Sequence, residues 1–304
     1  MNVNFGKYDI PPTLQRVMLL QEELDDQRHF YLGMNFYLSL DNFRYFNTPS
    51  DVVVFGNTGC DGIHYGFLTD YGSVDNLETA PIVCVSPMDF DRPTRIVANN
   101  LAEFLRVNGS DSALFYNEFE SEKDYIMTRQ QWDEESENSL YPPSENDKLV
   151  KENILTWISD NIYMPEIDNP YHYIQDVRNK RQERVTISTQ DGLGIVHPLL
   201  EGEKHISFNI DKNKDFNMLR LQEFLDSEPF ASRLVVFRDI QQNHVLPQEA
   251  ELNRVVVDAM NSMGLTDEAQ RLMSVVTDYS MNAGGQEVLQ QHELVYVVTD
   301  ENEA

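Results

Sequence analysis

The chain has 304 residues, 41% of them apolar and 11% aromatic, enough for a real core in one large domain or two of ordinary size. Its 51 acidic and 23 basic residues leave a net charge of −28, so a phosphate backbone would meet the wrong sign of attraction and nucleic acid is a poor ligand class. The same acidity suits a basic protein partner, or solubility alone.

No run approaches the roughly 20 apolar residues that span a bilayer, and the start MNVNFGKYDIPP lacks a basic segment followed by an apolar one. The expected location is the cytoplasm, with no membrane partner. Cys60 and Cys84 form no CxxC pair, so neither a disulfide framework nor a cysteine zinc site is implied, and both are expected to be reduced.

After Pro11-Pro12, Leu14, Val17, Met18 and Leu24 recur at helical spacing among acidic residues, which predicts an amphipathic first helix. Aromatics crowd positions 30 to 46, where Phe36, Leu38 and Leu40 alternate with polar or amphipathic residues as in a half-buried strand. The densest signal follows at Asp51 to Asp70. Apolar runs Val52 to Phe55 and Ile63 to Leu68 flank a turn holding Gly56, Gly59 and Gly62, with Asn57 and Asp61 also suited to positive φ, which predicts a hairpin.

Ile82 to Val85 reads as a strand buried on both faces, and Ile96 to Val107 as a helix stopped at Asn108-Gly109. Residues 118 to 147 are strongly acidic and read as a solvated linker or edge. A helix is expected from about Asn146 to Asn161. The basic patch Arg178, Lys180, Arg181 and Arg184 is expected on a solvated helix face.

Further on, Arg184 to Ser188, Gly194 to Val196, His205 to Ile210, Leu234 to Phe237 and Leu294 to Val298 read as strands. Phe216 to Leu225, Pro247 to Met263 with Gly264 as its stop, and Thr266 to Tyr279 read as helices. Strands grouped with helices, without strict alternation, argue for an α+β fold.

The search for chemistry finds little that converges. There is no GxSxG elbow, and Cys60 has carboxylates instead of cations for neighbours, which would raise its pKa. Asp61 with His64, or Asp89 with Asp91, would supply only two metal ligands. Gly192-Leu193-Gly194 lacks the third glycine of a dinucleotide fingerprint, and the acidic and lysine residues from Asp191 to His205 form only a chance-level nuclease pattern. No catalytic, cofactor or metal residue is therefore assigned.

Three stretches do resemble a known family. Gly59-Cys60-Asp61-Gly62-Ile63-His64-Tyr65-Gly66-Phe67-Leu68, then Ala80-Pro81-Ile82-Val83-Cys84-Val85-Ser86-Pro87-Met88, then Ile96-Val97-Ala98-Asn99-Asn100-Leu101 with Glu103-Phe104-Leu105, resemble in order and spacing the SUKH superfamily, whose founding members are fungal cell-wall synthesis regulators. In its bacterial branch a glycine-glycine-aspartate-glycine turn precedes the histidine-aromatic strand, and here Cys60 replaces the second glycine. The likeness covers about Ile10 to Val107 and thins through Asp191-Gly192-Leu193-Gly194.

What the resemblance implies is an α+β fold with a mixed, mainly antiparallel sheet flanked by helices, no catalytic residues, and a role in many bacterial members as immunity proteins that neutralise a toxin. The expected organisation is a SUKH-like domain over 1–117, an acidic linker over 118–147 and an α+β region over 148–304, an extension of unrecognised type. The expected function is a non-enzymatic module binding a basic toxin domain, with Asp61, His64, Tyr65 and Asp70 as contact residues and Gly59 and Gly62 shaping the turn. Two alternatives stand beside it: a metal- or small-ligand-dependent enzyme using Asp61, His64 and Asp70 with carboxylates of the C-terminal half, and a regulatory scaffold.

Overall fold

The computed structural model describes residues 3–24, 26–140, 142–210, 217–243 and 249–277. Helix α1 (Pro12–Glu23) begins on a proline, whose fixed φ suits a first turn, and buries Leu14, Val17 and Leu20 on one face. Helix α2 (Gln27–Met34) follows, capped by the Asp26 carboxylate.

The five strands β1 (Tyr37–Leu38), β2 (Val52–Asn57), β3 (His64–Leu68), β4 (Ile82–Val85) and β5 (Thr94–Ala98) form one sheet in sequence order, each antiparallel to its neighbour. With both faces covered, strand alternation divides side chains between two cores. Val53, Phe55, Tyr65, Phe67, Ile82, Cys84 and Val97 meet α1, α2, α3 (Leu101–Asp111) and α5 (Glu145–Asn161). Val52, Val54, Leu68, Val83, Val85 and Ile96 meet Val177 of α6 (Pro170–Arg184) and Leu193. The fold is α+β.

The acidic segment is a helix, α4 (Glu122–Glu137), capped by Ser121 and burying none of its residues. Ile154, Ile158 and Ile174 of α5 and α6 pack into the first core, so the division between cores falls after α6 and not near residue 117. A separate core is built by α7 (Met218–Ser227), α8 (Phe230–Gln242), α9 (Ala250–Ser262) and α10, helical over 266–277, with Tyr71 joining it from the first half.

Several expectations are corrected. Ile96 and Val97 belong to β5, because Asn100 caps Glu103 and so fixes the start of α3; that helix then runs through Asn108-Gly109 to Asp111. The strand expected at 36–40 shrinks to Tyr37–Leu38. Leu234 to Phe237 lies inside α8, which is buried on nearly every side, so its apolar run is that of an enclosed helix. Of the expected strands between 184 and 210, only an antiparallel bridge between Ile187 and Ile195 forms. The strand expected at Leu294 to Val298 lies outside the described residues.

Candidate functional site

The β2–β3 hairpin has two chemically different ends. At the turn end, Gly59 (φ +72°), Asp61 (φ +52°) and Gly62 (φ +68°) all adopt left-handed backbone. A methyl group on Gly62 would also lie 2.5 Å from the Tyr45 ring, so glycine is required there for space as well as conformation. The turn is braced by Asn57, whose Oδ1 accepts from Gly59 N at 3.0 Å, and by Thr58, whose hydroxyl donates to Cys60 O at 2.9 Å. Asp61 is exposed and instead accepts from the Cys60 thiol at 3.3 Å. That hydrogen bond and the carboxylate charge raise the Cys60 pKa, which leaves the thiol a poor nucleophile.

His64, the first residue of β3, is fully buried. Its Nδ1 lies 2.7 Å from Gly62 O, which can only accept, so Nδ1 carries the proton. Nε2 then accepts from the Thr48 hydroxyl at 3.0 Å. Burial pushes the imidazole down to about 4; the Gly62 hydrogen bond opposes this and the Arg44 charge adds to it. A neutral ring with both nitrogens engaged neither ligates a metal nor shuttles protons near neutrality. Tyr65 is equally buried, its ring edge-on to Phe36, Phe104 and Phe115.

At the open end of the hairpin, Asp51 and Asp70 point into an ionic cluster that joins the two halves of the chain. Arg181 of α6 donates to both oxygens of Asp70 at 2.6 and 2.7 Å, and its remaining donors reach Leu193 O and Gly194 O, each at 3.0 Å. Arg238 of α8 donates to Asp51 at 2.6 Å and to Asp191 at 3.1 Å. None of these five side chains is more than 4% exposed. Burial pushes the Asp51 carboxyl up to about 6, with the nearby Arg238 charge opposing and Asp70 and Asp191 adding to the rise.

Around this cluster further polar contacts cross the seam. Gln241 bonds Ser50 N and Thr48 O, and Arg271 of α10 bonds Ser50 O at 2.7 Å and Asn4 O at 3.0 Å. The backbone from Asp70 through Tyr71 to Gly72 is left-handed at three successive positions, and the Arg238 guanidinium sits 5.4 Å from the Tyr71 ring centre. Non-glycine residues hold such backbone only where surrounding contacts over-determine it.

Of the four expected contact residues, only Asp61 presents a surface. His64, Tyr65 and Asp70 are withdrawn as direct contacts because each is buried by its own chain. Nor do Asp61, His64 and Asp70 converge, since Asp61 and Asp70 lie at opposite ends of the hairpin. Among the described residues, no three of His, Cys, Asp or Glu cluster in a metal-holding arrangement. Arg238 and Arg271 escaped the sequence reading; the available signal was a charge embedded in an apolar helical run, as in Leu234-Val235-Val236-Phe237-Arg238.

The surface beside the exposed turn is marked by α4. Tyr125 stacks on Tyr171 and donates to Asp111 at 2.9 Å, and Arg129 pairs with Asp111, which fixes the first half of the helix. The second half carries Asp133, Glu134, Glu135 and Glu137 into solvent, and Ile126 and Met127 are also exposed. No helix among the described residues is long and apolar enough to cross a membrane. Compared with known proteins, the chain matches no family model and no curated protein.

Proposed function

We propose that the chain is a non-enzymatic protein-binding module of the SUKH immunity type, which captures and neutralises a basic toxin domain in the cytoplasm. The observation that carries this reading is α4: a helix anchored at one end, burying none of its residues, with its far half acidic and two apolar side chains exposed. Acidic charge beside a small exposed apolar pair suits a basic partner, because charge accelerates encounter while apolar contact slows dissociation. The motif order from Gly59 to Leu105 supports the family, and the charge of −28 supports the sign of the partner independently.

The test is a pull-down against the products of the neighbouring genes, in which capture of no partner overturns the reading, followed by association kinetics at several salt concentrations. The expected result is a basic partner whose association slows about tenfold or more between low and physiological salt. Reversing Glu134, Glu135 and Glu137 to lysine is expected to slow association without altering the fold. A neutral partner, salt-insensitive binding, or full binding by the charge-reversed variant overturns the reading.

A further inference from the structure

Between β5, α6 and the 188–194 loop lies a cleft of about 410 Å³, within the size range of small-ligand sites. In a chain of net charge −28, its walls carry Arg92, Arg95 and Arg178. Gln175, Arg178 and Gln182 recur at i, i+3 and i+7, so one face of α6 lines the cleft; Arg181 reaches its inner wall while engaged with Asp70, and Val177 packs inward.

These arginines are unequally satisfied. Arg95 pairs closely with Asp89, while Glu118 spans Arg92 and Arg95 at 3.4 Å from each, longer than the usual 2.7 to 2.9 Å of a charge-assisted hydrogen bond, and is itself half-exposed. Among the described residues no carboxylate lies within ion-pair distance of Arg178, and its Nε and Nη2 are buried with no hydrogen-bond partner there. Burial lowers its pKa, and the charges of Arg95 and Arg92 lower it further against the pull of Glu118. The Thr94 hydroxyl, also on the cleft wall, is buried with no hydrogen-bond partner among the described residues. An unpaired, largely desolvated guanidinium facing two like charges is a standing cost that a bound anion would remove.

We propose that this cleft binds a small phosphorylated ligand, its phosphate held by Arg178, Arg95 and Arg92 in the place that Glu118 loosely occupies. A dianion with tetrahedral oxygens satisfies several guanidinium forks at once and outcompetes a single carboxylate held at long range. The Gly192-Leu193-Gly194 segment forms part of the wall but is no phosphate cradle. Its amides are spent within the loop, Gly192 N on Thr189 O, Leu193 N on Asp191 Oδ1 and Gly194 N on the Thr189 hydroxyl. The arginine side chains therefore do the binding, and the site is independent of the α4 surface.

Full-length wild type, R178M, E118Q and R92A are melted in inorganic phosphate, glycerol 3-phosphate, citrate or chloride at matched ionic strength, with calorimetric titration of phosphate. Wild type is expected to gain about 5 °C in Tm at roughly 100-fold excess over Kd. R178M is expected to melt in chloride at or above wild type, since it loses an unpaired buried charge, and to lose the phosphate response. E118Q is expected to bind phosphate several-fold tighter. R92A, altered at an exposed position, is expected to bind about tenfold weaker and decides the matter if R178M does not fold. No gain beyond matched chloride, an equal gain in the Arg178 or Arg92 variant, or a citrate response as large as that of phosphate overturns the proposal.

Discussion

The turn and the open end of the β2–β3 hairpin are only a few residues apart along each strand, yet they are held by different physics. The turn is a backbone device, with glycines and short-range bonds from Asn57 and Thr58 shaping an exposed loop. The open end is a tertiary device, where Asp51 and Asp70 are useful only because arginines from α6 and α8 arrive to neutralise them. Damage at the turn should therefore stay local, whereas damage at the open end should propagate into the second core.

The largest expected effect comes from Arg238→Ala, which leaves Asp51 and Asp191 buried without their partner and is expected to cost about 3 to 5 kcal/mol in denaturant unfolding. Hydrogen exchange should rise in α8 and α10 before it rises in β2 and β3; a uniform rise would show that the ends are not energetically distinct. The double variant D51N/R238M is expected to recover part of the loss.

Next is His64, which links stability to pH at the turn end. Its folded value of about 4 lies below the ordinary 6.5, so the unfolded chain takes up the proton first, and roughly 3 kcal/mol of stability is lost as pH falls from 6.5 to 4. Asp51 acts in the opposite sense. With a folded value of about 6 against an ordinary 3.8, it contributes stability that is lost as pH rises through that interval. The two ends thus offset each other between about pH 4 and 6. His64→Gln is expected to unmask Asp51, giving a protein whose stability falls as pH rises across this range, measured by urea midpoints; a midpoint that still rises with pH would refute the assignment.

Gly62→Ala is expected to cost about 1 to 3 kcal/mol, from the left-handed backbone and the Tyr45 ring, while leaving exchange rates in α8 unchanged. The smallest effect belongs to Cys60→Ser, whose urea midpoint is expected to match that of wild type because the side chain is exposed. In the wild type, Cys60 should alkylate more slowly at neutral pH than a free thiol, since Asp61 holds it protonated.

What could be read from the sequence follows the same division. The turn was legible because glycine and asparagine report backbone conformation locally, and β2, β3, β4, α1 and α5 lie where periodicity put them. The α8 segment was misread because four successive apolar residues fit a buried strand or an enclosed helix equally. The start of α3 was marked by Asn100 and Glu103, a capping pair outweighed in the reading by the apolar Ile96-Val97. The ionic seam left one trace in the sequence, the charge of Arg238 embedded in an apolar run. Asp51, Asp70 and Arg181 look like ordinary surface charges, and only the fold reveals that they share a dry space with residues far along the chain.

That distance has a consequence for synthesis. Arg238 lies 187 residues after Asp51. At about 5 to 20 residues per second, roughly 10 to 40 s separate their emergence from a ribosome. Throughout that interval the sheet can form while its anionic edge stays hydrated, and the second core can seal against it only once α8 has been made. A product interrupted before α8 would keep Asp70 paired with Arg181 of α6 but display Asp51 to water as a bare charge, so the seam distinguishes a finished chain from an unfinished one.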